Sequence, residues 1–324
     1  SLAVDNPRQR FELDYLTDGQ LYAEHSEFDR LAKDNYAGLR GQENISEGTR
    51  LWVSDTFIDG ESMFGMALVG AKGLNTQLGQ ALLQRDAMTN EFDSSLHHDF
   101  LPRFSVDFDV HQAIYTASSA GTGLSTDQGA AATSYYALSR HLRTGLGADI
   151  EDFRFSGARG SDAYMPYFAL ASNPSLRIDL TARAGPIFTQ SSSGISSDFG
   201  YSTTAQYAAK HWSVNFSSGR MSSMTAGFSG AGISQFVYSA GSYALNRRIS
   251  LYTSAGYDEL TGGGISADIM SCAAGFNYRL DQRLTLYAQY LWFRTTRPGS
   301  SAALANAVAI GMKLDARPWR WMWQ

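Results

Sequence analysis

Asn277-Tyr-Arg-Leu-Asp-Gln-Arg-Leu-Thr-Leu-Tyr-Ala-Gln-Tyr290 decides the fold: a polar knot, Asp281-Gln282-Arg283, separates two runs in which apolar and polar residues alternate. Before the knot Phe276, Tyr278 and Leu280 fall on one face. After it Leu284, Leu286, Ala288, Tyr290 and Trp292 share a face, with Thr285, Tyr287 and Gln289 on the other. A helix repeats every 3.6 residues and a strand every two, so the pattern predicts two strands joined by a tight hairpin.

The same grammar recurs upstream in Tyr243-Ala-Leu-Asn-Arg-Arg-Ile-Ser-Leu251, Tyr207-Ala-Ala-Lys-His-Trp-Ser-Val-Asn-Phe216, Ala169 to Leu180 and Tyr136-Ala-Leu-Ser-Arg-His-Leu142. The turns centre near 140, 173, 211, 247 and 282. Their spacing of about 35 residues accommodates two strands of about 10 residues and one longer connection. Strand faces can be read between them. Phe104, Val106, Phe108, Val110 and Ile114 oppose Ser105, Asp107, Asp109, His111 and Ala113, and Leu142, Leu146, Ala148 and Ile150 oppose Arg143, Gly145, Gly147, Asp149 and Glu151. Leu176, Ile178, Leu180, Ala182 and Ala184 oppose Arg177, Asp179, Thr181, Arg183 and Gly185, and near the end Leu304, Val308, Ile310, Met312 and Leu314 oppose Ala and Gly.

The first hundred residues are less regular. Arg10 to Phe28 reads as one interrupted strand and 29–48 as a charged loop. Arg50 to Ile58 and Met63 to Val69 read as strands around an Asp59-Gly60-Glu61 hairpin. Residues 73–90 fit a loop or short helix, and a strand from 88 to 98 meets a turn at Phe100-Leu-Pro102. Short turns near 60, 101, 140, 173, 211, 247 and 282, with one further strand at each end, predict about sixteen antiparallel strands. Short turns then face the periplasm, and loops near 118–129, 190–198, 223–231 and 259–264 face outward.

At 324 residues one β domain is sufficient, with residues 1–8 as an extension, 9–316 as the barrel and 317–324 as a Trp-rich tail. The formal charge is −5. Residues 1–61 hold 13 acidic and 6 basic side chains, which disfavours nucleic acid as a partner. No apolar run reaches the roughly 20 residues of a spanning helix. No charged, apolar-cored leader opens the chain at Ser1-Leu-Ala-Val-Asp-Asn-Pro, as expected of a processed protein or of a portion of a longer one. Cys272 is the only cysteine and reads as a small apolar residue on its strand.

A soluble sandwich also alternates, so the composition of each face discriminates. The polar face is small and nearly neutral (Ala, Gly, Ser, Thr, Gln), while the apolar face carries aromatics at its turn ends: Tyr136, Tyr207, Trp212, Tyr243 and Tyr278. That arrangement suits an interfacial girdle, and lipid requires a closed sheet. The expectation is an all-β, closed, antiparallel transmembrane β-barrel of the bacterial outer membrane. Its lumen would be lined by Asp107, Asp109, His111, Arg143, Asp149, Glu151, Arg177, Asp179 and Arg183. These charges serve either as a ring that selects solutes or as struts paired across neighbouring strands.

Chemistry-bearing motifs are missing. There is no G-x-S-x-G or HExxH, Thr261-Gly-Gly-Gly-Ile265 lacks the Lys and helix of a phosphate cradle, and the adjacent His97 and His98 read as solvated. Neither an enzyme nor a cofactor is expected.

On hairpins such as Tyr278-Arg-Leu-Asp-Gln-Arg-Leu-Thr-Leu-Tyr287 and on strand count, residues 9–316 resemble the C-terminal outer-membrane porin domains of exopolysaccharide export proteins, barrels of about sixteen strands that follow a periplasmic tetratricopeptide scaffold. The likeness is of architecture, not of a motif. It implies passive passage of a sugar polymer during biofilm matrix secretion, with outer-membrane lipid, the polysaccharide and a periplasmic scaffold or lipoprotein of an export complex as partners. A receptor or adhesin barrel with a closed lumen, or a general diffusion porin, is the rival. One departure is the end, Arg317-Pro-Trp-Arg-Trp-Met-Trp-Gln324, where such barrels usually close on Phe. Trp319, Trp321 and Trp323 either continue the last strand or, with Pro318 before them, anchor below it.

Overall fold

A computed structural model of the chain describes residues 2–5, 8–20, 30–60, 87–117, 124–156, 160–191, 194–224, 231–262, 265–281, 284–296 and 302–314. Among the described residues all regular structure is strand. β1 (Leu2–Asp5), β2 (Gln9–Gln20), β3 (Arg30–Ser46) and β4 (Thr49–Gly60) precede β5 (Ala87–Leu101) and β6 (Phe104–Ala117). Then follow β7 (Ser125–Ser139), β8 (Leu142–Phe155), β9 (Ser161–Ser175), β10 (Ile178–Ser191), β11 (Gly194–Ala208) and β12 (Trp212–Met224). β13 (Ala231–Ala244), β14 (Ile249–Gly262), β15 (Ile265–Arg279), β16 (Leu284–Thr296) and β17 (Ala303–Leu314) complete the 17-stranded sheet.

Each strand pairs antiparallel with the next, from β1–β2 through β16–β17. Among the described residues no register joins β17 back to β1 or β2. The quoted hairpin is β15–β16, in register from Asp268↔Thr296 to Arg279↔Thr285. Its turn is held by the Asp281 carboxylate, which accepts from the Leu284 amide at 2.8 Å. Asn246 does the same for β13–β14, accepting from the amides of Arg248 and Ile249. The short turns line one rim. Backbone bonds run from the Ala137 amide to Arg103, from Asn173 to His141, from Ala208 to Arg177, from Ala244 to His211 and from Arg279 to Arg248, each tying a turn to the neighbouring hairpin.

β2 to β17 supply the expected sixteen strands, but one hairpin is misplaced in the sequence reading. The tight turn is Glu47-Gly48, between β3 and β4, whereas Asp59 and Gly60 end β4. The charged stretch expected to be a loop is β3, because β2 and β4 pair with its two edges and supply the hydrogen bonds its composition does not advertise. Residues 21–28 of the expected first strand, Met63 to Val69, the possible helix before 87 and the Trp-rich tail lie outside the described residues. Two expected long loops are short: β10 runs to Ser191 and β11 starts at Gly194, and β14 and β15 are separated only by 263–264. At the opposite rim Gly194 (φ 122°) and Gly262 (φ 141°) take backbone conformations that residues with side chains rarely adopt. Ser- and Gly-rich strand ends therefore imitate loops in the sequence. The predicted turn near 173 is Leu176-Arg177, since β9 carries Asn173 and Pro174 to Ser175 before reversing. Leu176 and Arg177 consequently belong to the rim, not the wall.

Alternation sorts the side chains as expected. On the outer face Leu146 is 68% exposed and Ile310 80%, alongside exposed Phe108, Ile150, Phe168, Phe199, Phe216, Val308 and Met312. A continuous apolar surface of this extent is foreign to water-soluble monomers and suits hydrocarbon. Near the turn rim it ends in Phe100, Phe104, Tyr136, Tyr207, Trp212 and Tyr243; the rings of Tyr207 and Trp212 lie 4.5 Å apart. The inner face is less uniform than its expected small, neutral character. Toward the turns it carries Asp107, Arg143, Asp179, Ser213, Ser242 and Asn277. Toward the opposite rim it carries Phe153, Ile187, Ile269 and Leu291, each 1% exposed, with Tyr115, Phe155, Phe236 and Phe293 also buried. The inner wall thus has a polar half and a packed apolar half.

Candidate functional site

The charged part of the inner wall spans β5 to β11. Registers place its members on one face: Asp107 opposite His97 and Thr133, His111 opposite Asp93 and Gly129, and Gly129 opposite Glu151. Asp149 lies opposite Ala131 and Met165, and Arg183 opposite Ala169 and Ser202. Period two puts every second residue of each strand on this face, and in-register pairing sets those residues side by side.

Three groupings result. His97 Nδ1 and Asp107 Oδ1 are 2.5 Å apart, and His97 Nε2 is 3.1 Å from Asp99. In the second grouping Arg183 donates from Nε to Ser202 at 2.9 Å and reaches Asp149 at 3.4 Å, with its guanidinium 5.5 Å from the centre of the Tyr167 ring. Arg143 sits 5.1 Å from the centre of the Tyr135 ring, and the Tyr167 and Thr133 hydroxyls share a 2.7 Å hydrogen bond. The third brings His111 Nε2 to 2.9 Å from Glu151 and 3.6 Å from Asp127.

Of the nine residues named from sequence, Asp107, Asp109, His111, Arg143, Asp149, Glu151, Asp179 and Arg183 share the inner face, and Arg177 does not. Asp149, Asp107 and Glu151 are engaged with Arg183, His97 and His111, which is the strut arrangement. Asp109 makes no hydrogen bond or ion pair among the described residues. Sequence reading missed Asp93, His97, Asp127, Tyr135 and Tyr167. Asp93 and His97 lie on β5, Asp127 and Tyr135 on β7 and Tyr167 on β9, strands whose mixed small and polar composition blurs the alternation. The wall can attract cations and orient polar solutes. Among the described residues, the third grouping is the one whose imidazole nitrogen and two carboxylate oxygens all lie within 4.8 Å of one another.

No family model matches the chain and no curated protein matches it. Among solved structures, a bacterial polysaccharide outer membrane secretin aligns at 11% identity over 88% of this chain and 91% of its own, with a TM-score of 0.40. OmpT, an outer membrane protein of Vibrio cholerae, aligns at 10% identity over 96% of this chain and 98% of its own, TM-score 0.44. The copper transporter OprC aligns at 10% identity over 95% of this chain, which spans 60% of that transporter, TM-score 0.45. These similarities are too distant to carry a functional argument.

Proposed function

We propose that the chain is a bacterial outer-membrane conduit, closed by β17 meeting the N-terminal edge of the sheet, that passes an exopolysaccharide, cationic or neutral. The observation that carries this reading is the division of the wall: a lipid-compatible outer face and, on β5 to β8, an inner face holding Asp93, Asp107, Asp109, Asp127, Asp149 and Glu151 against one guanidinium, Arg143, and the imidazoles of His97 and His111. Low-dielectric walls focus the field of such an excess and enrich cationic solutes in the channel. The half-buried Tyr135 adds an aromatic surface and a hydroxyl against which a sugar ring can lie and hydrogen-bond. Passage requires no cofactor and no covalent step. Within polysaccharide exporters, the barrel of the Pel system is the specific candidate, with a periplasmic scaffold as its partner and residues 9–316 as the barrel.

The test uses the purified protein in planar bilayers at low salt. Cationic amino-sugar oligomers should interrupt the current from one side in a voltage-dependent way, and anionic uronate oligomers of equal length should do so far less. Equal block by both would refute the charge selectivity. The packed apolar half of the inner wall supports a second reading, a receptor barrel whose lumen is shut, for which no current flows at all.

A further inference from the structure

His111, Asp127 and Glu151 come from three adjacent strands and converge over one glycine. Gly129 on β7 is the register partner of both His111 on β6 and Glu151 on β8, and Asp127 lies two residues from it on the same face. A Cβ at position 129 would overlap His111 Cε1 and the Glu151 carboxylate, so the missing side chain is what lets the two groups meet. His111 Nε2, a carboxylate oxygen of Asp127 and one of Glu151 all lie within 4.8 Å of one another.

Two further facts point to a ligand. Asp127 Oδ1 and Glu151 Oε2 are shut off from solvent, and among the described residues neither has a hydrogen-bond partner of acceptable geometry, although His111 Nε2 is near both. Burying a carboxylate oxygen without a partner is costly. Charge is also unbalanced. Asp93, the register partner of His111 on β5, adds a third carboxylate beside the trio. The Arg183 guanidinium on this face is committed to Asp149.

We infer that this group is a binding site for a divalent transition-metal cation of the zinc type, held by His111 Nε2, Asp127 Oδ1 and Glu151 Oε2 with a fourth position open to the lumen. Bonds of about 2.0–2.1 Å in a tetrahedral shell set ligand atoms roughly 3.3 Å apart. The present separations of 2.9 and 3.6 Å bracket that value, so small side-chain movements complete the shell. An imidazole nitrogen with two carboxylates suits Zn²⁺ and its transition-metal neighbours, whereas Ca²⁺ and Mg²⁺ prefer all-oxygen shells. The dication also supplies the charge that the protein lacks there. The site joins β6, β7 and β8 beside the boundary between the polar and apolar halves, where a bound ion would both cross-link the wall and place a positive charge in an acidic lumen.

The detergent-purified protein, stripped with chelator, is titrated with Zn²⁺ alone and analysed by metal content after desalting. The wild type should retain about one ion per chain, unaffected by millimolar Ca²⁺, and Asp127→Asn, Glu151→Gln and His111→Asn should each weaken binding roughly 10-fold or more. Asp109→Asn, on the same face but outside the trio, should bind like the wild type. Heat-modifiable migration on gels checks that each variant folds, and the near-isosteric Asp127→Asn and Glu151→Gln keep the test open if His111→Asn does not. No retained Zn²⁺ in the folded wild type, or undiminished retention in folded Asp127→Asn and Glu151→Gln, overturns the assignment.

Discussion

Phe216 and Asn215 are neighbours on β12 with opposite consequences. Phe216 is 39% exposed on the outer face, and Asn215 faces the inner side opposite Gln206 and Ala240. A Phe ring offers about 200 Å² of surface, so the exposed share is about 80 Å², worth roughly 2 kcal/mol in hydrocarbon at about 25 cal/mol per Å². Placing Arg on the lipid face near the midplane costs about 2–4 kcal/mol beyond Ala. Phe216→Arg should therefore destabilise the folded protein by about 4–6 kcal/mol, while Asn215→Arg, meeting water and neighbouring Ser side chains, should cost under about 1 kcal/mol. Equilibrium unfolding by guanidinium in phospholipid vesicles, monitored by tryptophan fluorescence, separates the two. Equal losses would refute the facing assignment. A soluble core would punish Phe216→Arg as well, so the vesicle requirement is part of the test: a protein that stays monomeric in buffer without detergent contradicts the lipid-facing surface.

Other consequences follow from particular contacts. Arg183→Ala removes the Ser202 bond, the Asp149 pair and the Tyr167 contact together, and should cost about 1–3 kcal/mol in the same unfolding assay, more than Asp179→Asn, which loses none of these. Leu180→Arg, three residues into β10 and close to the turn rim, should cost only about 0–1 kcal/mol, against about 2–4 kcal/mol for the outward Ile150→Arg near the middle of β8. Asp109→Asn alone should lower cation preference in reversal-potential measurements, because Asp107 and Asp149 are already partnered. Neutralising all three should lower it further by freeing Arg183, and the effect should fade at 1 M salt, where screening acts over about 3 Å. Epitope tags within 118–123 should be reached on intact cells and tags at 246–248 should not. The converse pattern would invert the topology.

Much of this architecture was legible because period-two alternation survives any sheet register: the quoted hairpin, the outer-face residues Leu146 and Phe216, and the aromatic belt follow from it directly. The strand total also survived, since moving one hairpin from Asp59-Gly60 to Glu47-Gly48 does not change the number of reversals. β3 was not legible, because Lys33, Asp34, Arg40 and Glu43 break the pattern and its pairing depends on neighbours rather than on its own composition. Nor was the convergence at Gly129. Which residue of β6 meets which residue of β8 depends on two registers, β6 on β7 and β7 on β8, and a one-residue slip in either would send His111 and Glu151 to opposite faces. The apolar half of the inner wall was hidden for a related reason: Phe153, Ile187 and Leu291 are far apart in sequence and form a band only once their strands are stacked.

A conduit through lipid conducts, and single-channel recording of the refolded protein in a planar bilayer should show discrete, cation-preferring current steps, enlarged when Phe153, Phe236 and Phe293 of the apolar band are replaced together by Ser. A folded, membrane-inserted protein that passes no current, with or without those three replacements, would contradict it.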